Sequence, residues 1–113
     1  MAQRALVTAN LLETAGVSAR VVDMRFVKPL DNLEVKAAAD TSLVVTMEDG
    51  ILAGGFGSAV LESLSRQGLV VPTLTLGVDD TFVAAGGVDQ LLDSLGLSPE
   101  AMSKAILSAL AER

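Results

Sequence analysis

The feature that most restricts the fold is a short uninterrupted apolar run, Ser42–Glu48 (SLVVTME). A strand with one wet face alternates apolar and polar residues. This run does not alternate, so both of its faces need covering, the condition of a strand in a parallel sheet flanked by helices. The flanking segments supply such helices. Ala2–Thr14 is built of helix formers, with Ala5, Leu6, Ala9 and Leu12 at helical spacing and Gly16 placed as a left-handed stop. Asp31, followed three residues later by Glu34, starts a short helix to about Ala39 in the manner of a capping box. Further helices are expected over Ser58–Gln67, closed by Gly68, and over Val88–Leu95, closed by Gly96. Ser98-Pro99-Glu100 opens the last helix, whose Met102, Ala105, Ile106, Ala109 and Leu110 form one apolar stripe.

Two more strands are expected. Ser18–Val27 (SARVVDMRFV) is β-branched and apolar up to Lys28-Pro29, and Val70–Leu76 carries Pro72, which suits an edge. Asp49–Gly57 (DGILAGGFG) is a Gly-rich turn, and Val78–Gly87 is a connecting loop. Helices alternating with strands indicate a three-layer α/β/α fold with a mainly parallel (mixed) sheet, in a single domain over residues 1–113.

Composition narrows the chemistry. Eight Lys and Arg against 14 Asp and Glu give a charge of −6, which disfavours nucleic acid and anionic membrane surfaces as partners. The three aromatic residues, all Phe, offer almost no platform for stacking bases. There is no Cys and no His, which removes thiolate nucleophiles, Cys-based metal sites and the commonest proton carrier near neutral pH. No run of 18 apolar residues occurs, and Met1–Asn10 lacks an apolar core long enough for an export signal, so a cytoplasmic location is expected.

Four groups of residues invite a functional reading. Gly54, Gly55 and Gly57 before Ser58 would expose backbone N–H groups at a helix start, a place for an anion, although a GGxG without a Walker lysine or a full dinucleotide fingerprint more often serves a tight turn and close strand-helix approach. Glu48 and Asp49 stand at a strand's C-terminal end, where open α/β sheets bind ligands. Neighbours on a strand face opposite ways, so the two acids suit a hydrogen-bonded turn or an interface better than a catalytic pair. Arg25 and Lys28 offer either a phosphate clamp or an interface ion pair. Asp79-Asp80, without further oxygen ligands, is not expected to hold a metal. No catalytic residue and no metal site is assigned to this chain.

Three stretches in order, VVDMRFVKPLD (21–31), LVVTMEDGILAGGFGSAVLESL (43–64) and the 77–102 region with GVDDTF and GLSPEAM, resemble the C-terminal domain of the transketolase family. The spellings RFVKPLD and EDG…GGFGSAV are most similar to its 1-deoxyxylulose-5-phosphate synthase branch. Asp40-Thr41, Gly50 and Val78 depart from residues frequent in that branch. The resemblance implies an enzyme that uses thiamine diphosphate and Mg²⁺ to join pyruvate and glyceraldehyde 3-phosphate with loss of CO₂, the first step of non-mevalonate isoprenoid synthesis. It also implies that cofactor and metal lie in other domains, so that this chain is a structural interface domain, inactive alone, with the remaining domains and a second copy as partners. The alternatives are a regulatory anion-binding module, or the matching domain of a transketolase or of a 2-oxo acid dehydrogenase β subunit. In the family a strand and a Gly-containing turn precede the helix matching Ala2–Gly16. Here Met1 leads straight into that helix, and the expectation is a fragment or shortened gene product lacking that inner strand, with the gap closed either by direct pairing of the two flanking strands or, as the preferred answer, by a second chain.

Overall fold

A computed structural model of the chain describes residues 1–24, 30–79 and 87–112. Its elements are α1 (Ala2–Thr14), α2 (Asn32–Ala38), β1 (Val44–Ile51), α3 (Phe56–Arg66), β2 (Thr73–Val78), α4 (Val88–Ser94) and α5 (Pro99–Ala111). They fall into two compact units, one of residues 1–23 and 80–113, the other of residues 24–79.

In the first unit α1 packs on α5. Leu12 and Thr8 of α1 are buried, as are Met102, Ser103 and Ile106 of α5, and Leu92 of α4 and Leu97 of the turn that follows are buried as well. Met102, 0% exposed, is one of the i, i+3/i+4 stripe that its sequence spacing predicts. Ser98 caps α5 by accepting from the Ala101 N–H at 3.1 Å, with Pro99 in the first turn. Thr8 is buried inside a helix with its hydroxyl satisfied, donating to the Arg4 carbonyl at 2.7 Å.

In the second unit β1, α3 and β2 form a parallel β–α–β. Val44 pairs with Thr73, Val45 with Leu74, Thr46 with Thr75 and Met47 with Leu76. Val35, Val44, Val60 and Leu64 form its core, with Met24, Leu30, Ala38, Ala39, Phe56, Leu69 and Val71 packed around them. Asp31 caps α2 as expected, accepting from the N–H groups of Leu33 and Glu34. Helices α1, α3 and α4 stop alike, each on a glycine at positive φ (Gly16 +84°, Gly68 +68°, Gly96 +80°) followed by an apolar residue whose N–H reaches back five positions, as Val17 to the Leu12 carbonyl at 2.9 Å.

The α/β class holds, with four differences in detail. The strand expected over Ser18–Val27 makes no ladder over its described part, residues 18–24, because β propensity becomes a strand only where a neighbour pairs with it. The strand expected over Ser42–Glu48 continues to Ile51. The helix expected from Ser58 starts at Phe56. The strand expected over Val70–Leu76 is shifted to Thr73–Val78, so Pro72 lies just before the ladder, where its missing N–H costs nothing, and its carbonyl accepts from the Val44 N–H at 2.9 Å.

Candidate functional site

The most elaborate polar arrangement described lies where β1 meets the start of α3. Between the pairs Met47–Leu76 and Ile51–Val78, β1 advances four residues while β2 advances two, so β1 bulges over residues 48–50. A bulge re-aims side chains. Glu48, 9% exposed, sends its carboxylate to the first turn of α3, where Oε1 accepts from the Phe56 N–H at 3.0 Å and Oε2 from the Gly57 N–H at 2.8 Å. The residue at the helix's own cap position is Gly55, which has no side chain to offer. An acid from the preceding strand therefore caps α3, and the positive end of the helix dipole lies against its charge.

The glycines make room for that carboxylate. A Cβ on Gly55 would overlap Glu48 Oε1 and the Ile51 carbonyl. One on Gly57 would lie 2.8 Å from Thr46 Oγ1 and 3.2 Å from Glu48 Oε2, and one on Gly77 of β2 would lie 2.8 Å from Glu48 Cγ and 2.7 Å from Leu52 Cδ2. The turn is tied down on both sides: Leu52 donates its N–H to the Val78 carbonyl at 2.8 Å and accepts on its own carbonyl from Ser58 Oγ at 3.0 Å. Thr46, two residues before Glu48 and 3% exposed, has a hydroxyl with no hydrogen-bond partner among the described residues.

The structure thus brings Glu48, Gly55 and Gly57 together, with Ser58 anchoring the same turn. An anion at Gly54, Gly55, Gly57 and Ser58, the lesser of the two readings of this turn, would meet two N–H groups already bonded to a carboxylate of the chain. Asp49 is exposed and apart from its neighbour's network, as alternation on a strand requires. Arg25, Lys28 and Asp80 lie outside the described residues, and Asp79 is exposed. Among the described residues no group of three or more His, Cys, Asp or Glu stands close enough to hold a metal ion, and no helix is long and apolar enough to cross a membrane.

Sequence reasoning missed a second polar centre, in the first unit. Arg4 of α1 donates to Asp93 Oδ1 at 2.8 Å and the Leu97 carbonyl at 3.0 Å through one guanidinium nitrogen, and to Asp89 Oδ1 at 3.2 Å and the Asp89 carbonyl at 3.3 Å through the other. It fastens α1 to α4 across some 85 residues of sequence, beyond the reach of any local pattern. Hydrogen bonds to Asp93 and then Asp89 raise the Arg4 pKa above its already high ordinary value, so the clamp stays cationic at any pH where the chain is folded. Arg4→Gln is expected to lower the melting temperature, and by less in roughly 1 M salt, where the screening length falls to about 3 Å, than in dilute buffer. An equal loss at both salt concentrations would assign the effect to the backbone carbonyl contacts alone.

Residues 1–102 match the family model described as "Transketolase, C-terminal domain". The chain is 49% identical over 111 residues to a 1-deoxy-D-xylulose-5-phosphate synthase of Gloeobacter violaceus, an alignment covering 97% of this chain and 17% of the relative. It is 46% identical over 114 residues to a synthase of the same description from Synechococcus elongatus, covering 100% of this chain and 18% of that one. A solved structure described as "Split gene transketolase, inactive beta4 tetramer" superposes with a TM-score of 0.87 at 38% identity, over 97% of this chain and 36% of that one. The chain therefore spans about a sixth of the curated relatives it matches.

Proposed function

The chain belongs to the transketolase C-terminal domain family, and from that premise we propose that residues 1–113 act as one C-terminal structural and interface domain of a cytoplasmic 1-deoxy-D-xylulose-5-phosphate synthase. The observation that carries this reading is coverage. Identity of 46–49% runs along nearly the whole chain while spanning 17–18% of the synthases, so most of a synthase's machinery has no counterpart here. The 38% identity to the split-gene transketolase supports the same family less specifically than the synthase identities do.

The described residues do not fit thiamine diphosphate or Mg²⁺. The Gly-rich α3 N-terminus, where a diphosphate could meet backbone N–H groups, holds Glu48 instead, and no acidic cluster among the described residues is available for a metal. Both groups are assigned to the remaining domains of the full-length enzyme, and no step of the reaction is routed through this chain. Its contribution is to hold those domains, and a second copy, in register. Catalysis that depends on positioned groups loses rate on small displacements. The name of the solved relative, an inactive tetramer of one chain of a split enzyme, supports both inactivity in isolation and self-association.

The test is an assay of the purified chain with pyruvate, glyceraldehyde 3-phosphate, thiamine diphosphate and Mg²⁺. No deoxyxylulose phosphate is expected from the chain alone, and product is expected when a polypeptide carrying the remaining synthase domains is added. Cofactor-dependent turnover by the chain alone would overturn the reading.

A further inference from the structure

We propose that the Asp49–Gly50 bond is a modification site, at which the main chain reroutes through the Asp49 side chain to form isoaspartate beside the acid that caps α3. Asp-Gly occurs at this one place in the sequence, and Asn-Gly does not occur. The reaction needs the main-chain nitrogen of the following residue to reach the side-chain carboxyl, and a side chain on that residue obstructs the approach. Gly50 has none. Both residues are exposed. They lie in the bulge, where the register passes from Met47–Leu76 to Ile51–Val78 and gives neither of them a partner on β2.

Other aspartates are held where Asp49 is not. Asp31 accepts from the Leu33 and Glu34 N–H groups, and Asp93, within α4, is gripped by Arg4. No described residue bonds the Asp49 carboxylate. The fold does not require the glycine that makes this bond labile. Gly50 avoids the left-handed region, and a Cβ there would meet only Glu48 Oε1, at an ordinary 3.7 Å, whereas at Gly55, Gly57 and Gly77 it would crowd its neighbours.

The Gly50 nitrogen attacks Cγ of Asp49. Its proton and the carboxyl hydroxyl leave as water, and a succinimide joins the two residues. Water then opens the ring on either side of the nitrogen. Breaking the bond to Cγ restores aspartate, and breaking the bond to the Asp49 main-chain carbonyl carbon leaves the chain running through Cβ and Cγ. The water lost is regained, so the conversion needs no oxidant, reductant or cofactor. The product gains a main-chain methylene between Glu48, which holds the Phe56 and Gly57 N–H groups, and Leu52, whose N–H is fixed to the Val78 carbonyl. Conversion therefore alters the spacing on which the α3 cap depends.

The experiment ages the full 113-residue chain in neutral buffer beside a peptide of residues 47–53. An isoaspartyl methyltransferase with labelled S-adenosylmethionine counts the isoaspartate, and electron-transfer fragmentation locates it. Label is expected at Asp49 of the chain while the peptide converts. It is expected to be lost in Gly50→Ala, and in Asp49→Glu, whose longer side chain closes a larger ring more slowly. Gly50→Ala is expected to melt no lower than the wild type before ageing, because the methyl fits. If that variant fails to fold, Asp49→Glu decides. The isoaspartyl fraction, separated by chromatography, is expected to melt below the unconverted chain. A chain without label when the peptide has largely converted overturns the proposal, since β1 would then hold the Gly50 nitrogen away from the carboxyl. Label that survives both substitutions overturns the site, and equal melting of the two fractions overturns its link to the α3 cap.

Discussion

Gly55→Ala is expected to destabilise the chain by roughly 3 to 5 kcal/mol, seen as a fall in the urea midpoint at unchanged slope. The backbone at Gly55 is ordinary, with φ −87°, so the cost is one of space. The methyl would fall on Glu48 Oε1 and on the Ile51 carbonyl. The carbonyl is main chain and cannot turn aside, so the carboxylate must leave and the Phe56 and Gly57 N–H groups lose their acceptor. The expected total combines overpacking, about 1–3 kcal/mol, with the stranding of buried polar groups at a similar cost. Gly54→Ala is the control. Gly54 has φ +70°, and a methyl there would meet nothing within 4 Å, so its substitution costs only backbone strain, about 1–2 kcal/mol. Were the two variants equally stable, close packing of Glu48 against Gly55 would not be what selects glycine there.

The same geometry predicts non-additivity. In a Glu48→Ala background one of the two obstacles to a Gly55 methyl is gone, so Gly55→Ala should cost about 1 kcal/mol less there than in the wild type, with the Ile51 carbonyl setting what remains. Strict additivity would mean that the two residues do not compete for one volume.

What is legible in the sequence is local. The bounds of α1, the Asp31 and Ser98 caps and the glycine stops at Gly16, Gly68 and Gly96 depend on residues within a turn of one another, and each appears where its pattern places it. The differences are non-local. Ser18–Val27 has strand composition, but a ladder needs a partner that composition does not supply. Helix α3 starts two residues before its expected position because its cap comes from Glu48, eight positions before Phe56, and no local search for a capping side chain finds it. One signal was available: an 11-residue helix led in by glycines has no cap of its own, and of the two acids on the preceding strand, Glu48 and Asp49, the one on the face buried by the helix is the natural candidate. Arg4 gives no signal, because the carboxylates it grips lie at the other end of the chain.

Glu48→Ala is expected to cost about 2–4 kcal/mol, the sum of a lost helix cap and of one buried and one part-buried N–H group left without an acceptor. Glu48→Gln should fall between this and the wild type, because an amide keeps one acceptor oxygen but turns an NH₂ toward the second N–H group. The more discriminating expectation concerns anions. If the carboxylate is held by the positive end of α3, removing it leaves a helix N-terminus lined by glycines and open to a replacement, and sulfate should occupy it. Sulfate raises the melting temperature of most proteins by exclusion from their surfaces, so the quantity to read is the difference between Glu48→Ala and wild type along matched sulfate and chloride titrations. A steeper sulfate response in the variant, as expected for a ligand that binds only the folded chain, would show that the turn over residues 54–58 is an anion site which the native chain fills with its own Glu48. Parallel responses would mean that Glu48 is held by the shape of its glycine cradle rather than by the helix field.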